Sequence, residues 1–238
     1  MKRLTMVAAL ALAQAGCVTS QEDSPLLFGN VLALEGCEPD TSKFISQGSL
    51  DLAGGGNYVM AVQARNIIPT SRVIIIGDTP TNVGGSSVTL TEIVYRYEAP
   101  PELGLPEEDR AATYAVVPAG SGNDSYVPVS AFGPLALEAL QKWGDKPLKN
   151  PQDDTPYNPL TERHASENVI TYIKARGRVG SSSNAETNEF SFPVRVFATP
   201  NCPSNAVKAG VCSPGQDVPT ACPPTTTPPL LDAPLPAA

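Results

Sequence analysis

The chain has 238 residues, with 16 Lys and Arg against 24 Asp and Glu, one His, five Cys and 25 Pro, and a formal charge of -8. Nucleic-acid binding rests on Lys and Arg releasing counterions from phosphate, so an acidic chain of this kind is expected to have no nucleic-acid partner. The lone histidine, His164, leaves any His-based metal site, Ser-His-Asp triad or Cys-His dyad dependent on a single residue, and neither a metal nor a cofactor is expected.

The N-terminus has the three parts of an export signal: Lys2 and Arg3, an apolar run at residues 4–13, and small residues before a cut. Ten apolar residues are too few for a spanning helix, which needs about 20. Two cuts compete, one after Ala13 or Ala15 by ordinary signal peptidase and one before Cys17. Ala15-Gly16-Cys17 resembles the bacterial lipobox, although Gln14 stands where that motif usually has Leu. The resemblance implies a diacylglyceryl group on Cys17 and an acylated amine, hence a membrane partner through the N-terminal lipid. Two or more acyl chains hold a protein stably to a bilayer, where one does so marginally. Val18 follows the cysteine in place of the Asp that marks inner-membrane retention in enteric bacteria, which points to the outer membrane, with the leaflet open.

Parity supports lipidation: removing Cys17 from the five cysteines leaves Cys37, Cys202, Cys212 and Cys222, enough for two disulfides in an oxidising compartment. The expected organisation is a signal peptide at 1–16, a tether at 17–30, a β domain at 31–200 and a cysteine-containing, proline-rich tail at 201–238. Loss of Lys2 and Arg3 with the signal takes the formal charge from -8 to -10.

Within the domain, period two dominates, the pattern of a strand with one buried face. In chain order, strands are expected at 49–52 (SLDL), 58–66 (YVMAVQARN) and 72–77 (RVIIIG). TLTEIVYRYE follows, with Ile93, Tyr95 and Tyr97 on one face, then strands at 112–118 and 125–131. Turn clusters such as AGGGN, TNVGG and AGSGND separate them. PLALEALQKWG breaks the pattern: Pro134 starts a helix, Ala136, Leu137 and Leu140 share a stripe, Trp143 covers the core and Gly144 ends it. NVITYIKARGRV then sets Val169, Thr171, Ile173 and Ala175 inward. FSFPVRVFA does the same with Phe190, Phe192, Val194, Val196 and Ala198, and Pro193 belongs at an edge or bulge because it cannot donate to a ladder. About eight strands with one short helix predict an all-β, Ig-like antiparallel sandwich, disulfide-stapled and with flexible tails.

Two long polar loops interrupt the strands, APPELGLPEEDR at 99–110 and GDKPLKNPQDDTPYNPLTERHASE at 144–167. Loops of that length inside a domain are often functional. The second carries the candidate binding residues Asp153, Asp154, Tyr157 and His164. Carboxylates at Glu107, Glu108, Asp109, Asp153, Asp154 and Glu162 are the remaining acid/base candidates, yet loop acids are normally solvated charge, and no catalytic residue is expected. GSGND and NPQDDT offer oxygen ligands without the spacing of a calcium loop.

CEPD, GSLDL, YVMAVQARN and CSPGQD resemble segments of myxobacterial-type outer-membrane lipoproteins, in which a lipobox precedes an early Cys, a strand pair of this kind and a cysteine-rich end with a PGQD turn. The resemblance implies class and address and brings no activity. Four cysteines allow three pairings. If the terminal strands run parallel, the last one ends a strand length from the start of the first, and the C-terminal segment has to cross back. That predicts Cys202 with Cys212 as a local loop and Cys37 with Cys222 as a clasp. The expected function is a non-enzymatic lipoprotein of the cell envelope, a structural or interaction module with an envelope protein partner. The alternative is a surface lipoprotein binding a small ligand or glycan through the 144–167 loop.

Overall fold

The computed structural model describes residues 24–76, 79–122, 125–145, 166–180, 183–199 and 209–219, with 72–76 and 79–83 described by backbone only. Two sheets pack face to face as the expected all-β sandwich. The first has the order β2 (Glu38–Ile45), β1 (Leu26–Glu35), β4 (Val59–Asn66), β9 (Tyr126–Ser130). The second has β3 (Gly48–Asp51), β12 (Phe190–Phe197), β10 (Ser166–Val179), β7 (Val88–Glu98), β8 (Asp109–Val117), with β11 (Ser183–Glu186) continuing alongside β10. A hairpin of β5 (Ser71–Ile76) and β6 (Thr79–Gly84) forms a two-stranded sheet of its own, and α1 covers Pro134–Gly144.

The alternating residues become the core. Val169, Ile173 and Ala175 of β10 are buried opposite Phe192, Val194 and Val196 of β12, and Met60 and Val62 of β4 and Val127 and Val129 of β9 meet them from the first sheet. Each such side chain contributes roughly 1.5–3 kcal/mol on burial, which is what holds the sheets together. In β7 the inward phase slips: Leu90 and Ile93 are both buried because the register shifts next to Thr91, on both the β10 and the β8 side. Gly177 makes that shift fit, since a Cβ there would lie 2.1 Å from the Thr89 carbonyl oxygen. Pro193 sits one residue before β3 begins to pair at Val194, so one side of β12 is open at that position. Pro128 lies on β9, an edge strand.

The fold departs from the sequence reading at both ends of the domain. Leu26 and Phe28, assigned to the tether, are buried in β1, which the reading missed because Gly29 and Asn30 and a register shift between Phe28 and Val31 break its alternation. β2 was missed because it is an edge strand of mostly exposed polar residues with no buried stripe. At the other end, residues 209–217, placed in the tail, run back antiparallel along β3: Asp51 N donates to Gly215 O at 2.8 Å and Asp217 N to Ser49 O at 2.8 Å. This strap covers the edge that β3 would otherwise expose.

Two side-chain amides act as strand surrogates where the sheets meet. Gln216, 1% exposed, accepts from Val59 N at 3.1 Å and donates to Val59 O at 2.9 Å, joining the strap to β4. Asn188 accepts from Phe28 N at 2.7 Å and donates to Phe28 O at 3.1 Å, joining β1 to the turn before β12. A third amide, the buried Asn66, donates to Ser86 O and Val117 O, both at 3.1 Å, tying the end of β4 to the segment before β7 and to β8.

Candidate functional site

A dense polar construction lies at the end of the sandwich where β1 turns into β2. Gly36 and Cys37 form the two-residue hairpin loop with φ of 60° and 73°, the left-handed pair that such a loop requires. Cys37 is bonded there to Cys212, with Cα atoms 4.6 Å apart. This corrects the expected pairing of Cys37 with Cys222 and of Cys202 with Cys212. The reason is the unrecognised β1. It runs towards Cys37 as β12 runs towards Thr199, so the cysteine follows the first strand instead of preceding it, and the ends share one face of the domain. Cys202 and Cys222 lie outside the described residues.

From Cys212 the chain enters SPGQD. Ser213 Oγ accepts from Asn57 N at 2.9 Å, and Gly54 and Gly56 leave room for Pro214, whose backbone a Cβ at either position would approach within 2.6 Å. Gly215, at φ 83°, presses on Asp51, leaving no room for a side chain. Asp217 accepts from Ser49 N at 3.0 Å and from the Tyr58 hydroxyl at 2.9 Å. Burial and the adjacent Asp217 charge hold the Tyr58 phenol far above its ordinary range, so it serves as a donor. Asp51, fully buried, accepts from Ala53 N and Thr199 N and bonds the Thr199 hydroxyl. Every group in this cluster that is named here closes the fold.

The other acidic candidates are also structural. Asp109, 2% exposed, accepts from Ala136 N at 2.9 Å and caps α1 across space, where Gly133 provides no side chain of its own. Beside it Tyr97 accepts from Gly133 N at 2.9 Å, and burial raises the Tyr95 and Tyr97 phenols out of reach as bases. Glu108 pairs with Arg110 at 2.6 Å. On the outer face of the second sheet Glu92 faces Arg110 and Arg176 at 3.8 and 3.5 Å, and Arg176 also holds Glu186. Arg96 covers the half-buried Tyr172 ring at 4.2 Å while Tyr172 donates to Glu98, so this aromatic offers no bare shelf for a sugar. Trp143 is half-buried against the core, as expected. Among the described residues no group of three His, Cys, Asp or Glu is placed to hold a metal ion.

Cys17, Asp153, Asp154, Tyr157, Glu162 and His164 lie outside the described residues, as does the NPQDDT segment. The residues that sequence reasoning missed are Gln216 and Asp217. Their signal was the Pro-Gly turn of CSPGQD, inside a segment assigned to the tail for its prolines. A free edge remains at β8: among the described residues no strand pairs with its outer side, and Tyr114 is 81% and Val116 47% exposed on it. The other edges are guarded, β9 by Pro128, β2 by Glu38, Asp40 and Lys43, and β3 by the strap. No family model matches the chain, and no curated protein and no solved structure matches it.

Proposed function

We propose that this protein is a non-enzymatic lipoprotein of the bacterial cell envelope, anchored to the outer membrane through Cys17, whose sandwich presents a surface to an envelope protein. The observation that carries the reading is the β8 edge, which among the described residues is the one long edge without Pro, Lys or a covering strap. Such an edge adds a strand from a partner through backbone hydrogen bonds, with alternate side chains giving specificity. The acidic and buried polar groups described above support the same reading, because they are committed to ion pairs, a helix cap and sheet closure. Lipidation is supported by the cysteine count: with Cys37 bonded to Cys212, acylation of Cys17 leaves Cys202 and Cys222 to pair with each other. The test is affinity isolation from detergent-solubilised envelope with the anchor intact, comparing the natural chain with Tyr114→Lys/Val116→Lys. An envelope protein recovered with the first and lost with the second is the expected result. Equal recovery from both would remove β8 as the contact.

A further inference from the structure

The strap closes the β3 edge without joining the core. Residues 209–219 place no side chain in the hydrophobic core, and the two of them that are buried, Gly215 and Gln216, are held by hydrogen bonds. Val211 is half-buried and Val218 is 41% exposed. A segment that buries so little apolar surface opens more readily than the sheets it rests on. Its covalent tie is Cys212, near its start, bonded to Cys37.

That tie stands where a thiol can reach it. Cys37 is exposed at the tip of the β1–β2 hairpin, and Cys212 is half-buried. Exposed or strained disulfides are the labile and regulatory ones, whereas those that only brace a fold resist reduction. The backbone is strained at both ends of the fastening. Among the described residues the only non-glycine residues with positive φ are Cys37, at 73°, and Asp217, at 57°. Asp tolerates the left-handed region better than Cys does, yet either side chain costs more there than a glycine. Strain of this kind collects at elements that switch, held in place by the contacts around them. For Asp217 those contacts are its N–H to Ser49 O, and its carboxylate to Ser49 N and to the Tyr58 hydroxyl.

We propose that the Cys37–Cys212 bond is a redox latch: its reduction frees the strap from β3 and opens the edge of the second sheet, while the rest of the sandwich stays folded. The reductant is a dithiol. One of its thiolates attacks Sγ of Cys37, the more exposed partner, and forms a mixed disulfide as the bond to Cys212 breaks; Cys212 leaves as a thiolate and takes up a proton. The second thiolate attacks the dithiol's own sulfur in the mixed disulfide, which closes the dithiol as a disulfide and releases Cys37 to be protonated in turn. Two electrons and two protons pass to the protein, and the dithiol is oxidised. The strap then keeps only hydrogen bonds, from Asp51 N to Gly215 O, from Asp217 N to Ser49 O, from Gln216 to Val59 and from Asn57 N to Ser213 Oγ, each of which water can replace. Once these give way, Ser49 and Asp51 lose their strap partners and β3 becomes an edge that accepts an extended segment.

The test is amide hydrogen exchange on the purified protein before and after dithiothreitol, without denaturant and with free thiols counted. Reduction is expected to speed exchange of the Asp51 and Asp217 amides, bonded to Gly215 O and Ser49 O, by roughly tenfold or more. The amides of β7 and β10, and that of Thr187, bonded to Ala175 O, are expected to stay as they were. Cys37→Ser/Cys212→Ser should show the same pattern with no reductant and with Cys202 and Cys222 untouched, which separates this bond from any other in the chain. Because that variant can fail to fold, reduction of the natural protein is the deciding arm. A bond that yields to dithiothreitol only in denaturant would overturn the proposal, as would strap amides that stay protected after full reduction. So would amides of β10 that open together with the strap, since the bond would then only brace the whole domain.

Discussion

Gln216 shows how one side chain can replace a strand. Its amide donates and accepts as a peptide unit does, and it meets both polar groups of Val59 where β1 has stopped pairing with β4. Gln216→Ala strands both groups, and a buried unpaired donor or acceptor costs about 1–3 kcal/mol. We expect the urea midpoint to fall by the equivalent of about 2–4 kcal/mol, with a smaller loss for Asn188→Ala, whose side chain is exposed. Equal midpoints for Gln216→Ala and the natural chain would mean that water reaches Val59. A second residue-scale outcome concerns pH. The side-chain and backbone hydrogen bonds from Ser42, helped by Lys43, hold the Asp40 carboxyl at about 2, below the usual 3.8. The ionised form is the one the fold favours, so its contribution is complete above the unfolded value and disappears as pH falls through about 2. Carboxyl-detected NMR should find Asp40 ionised at pH 3, and Asp40→Asn should flatten the acid limb of a stability profile.

Among the elements, the strap is the one whose removal should matter most. Truncation before Ala209 exposes β3, unpairs Asp51 and Ser49 and deletes Gln216 and Cys212, so the product is expected to melt many degrees lower or not fold. Truncation after Cys222 keeps the strap and should melt nearly as the full chain does; a large drop would show that the last residues also pack. Peptide mapping without reduction should recover Cys37 linked to Cys212. Breaking that bond releases a loop closed over a separation of 175 residues, worth roughly 5 kcal/mol in the chain-entropy model. These elements also show what was legible. β10 and β12 could be read from sequence because each keeps one face in a continuous core, β7 because it does so from Ile93 onward, and α1 because Pro134 and Gly144 bracket a clear stripe. β1 and β2 could not, since a bulge and an exposed edge remove the period. The strap was hidden for another reason: it earns its place through backbone groups and one amide, which leave no hydrophobic pattern, inside a stretch that composition marks as tail.

At the scale of the molecule the sandwich has two unlike ends. One holds the chain entry and the β5–β6 hairpin, the other the Cys37–Cys212 bond and the strap. The proposed anchor gives this polarity a direction, and Cys17→Ser should abolish fatty-acid labelling and weaken retention in the membrane pellet. Full retention of an unlabelled Cys17→Ser chain would mean that the lipid is not what holds it. The strap also bears on the order in which the domain closes. Ser49 and its partner Asp217 are 168 residues apart, and the parallel pairing of β3 with β12 is nearly as distant. Contacts of such separation form slowly, because a long loop must close before they repay its entropy. The strap also follows every strand of the second sheet in sequence, so the β3 edge can be sealed only after the rest of that sheet has been made. On the export that we propose, the chain would lack its closing strand and the disulfide partner of Cys37 until the strap had followed the rest of the domain, which would keep it pliable while it is threaded and let it lock only afterwards.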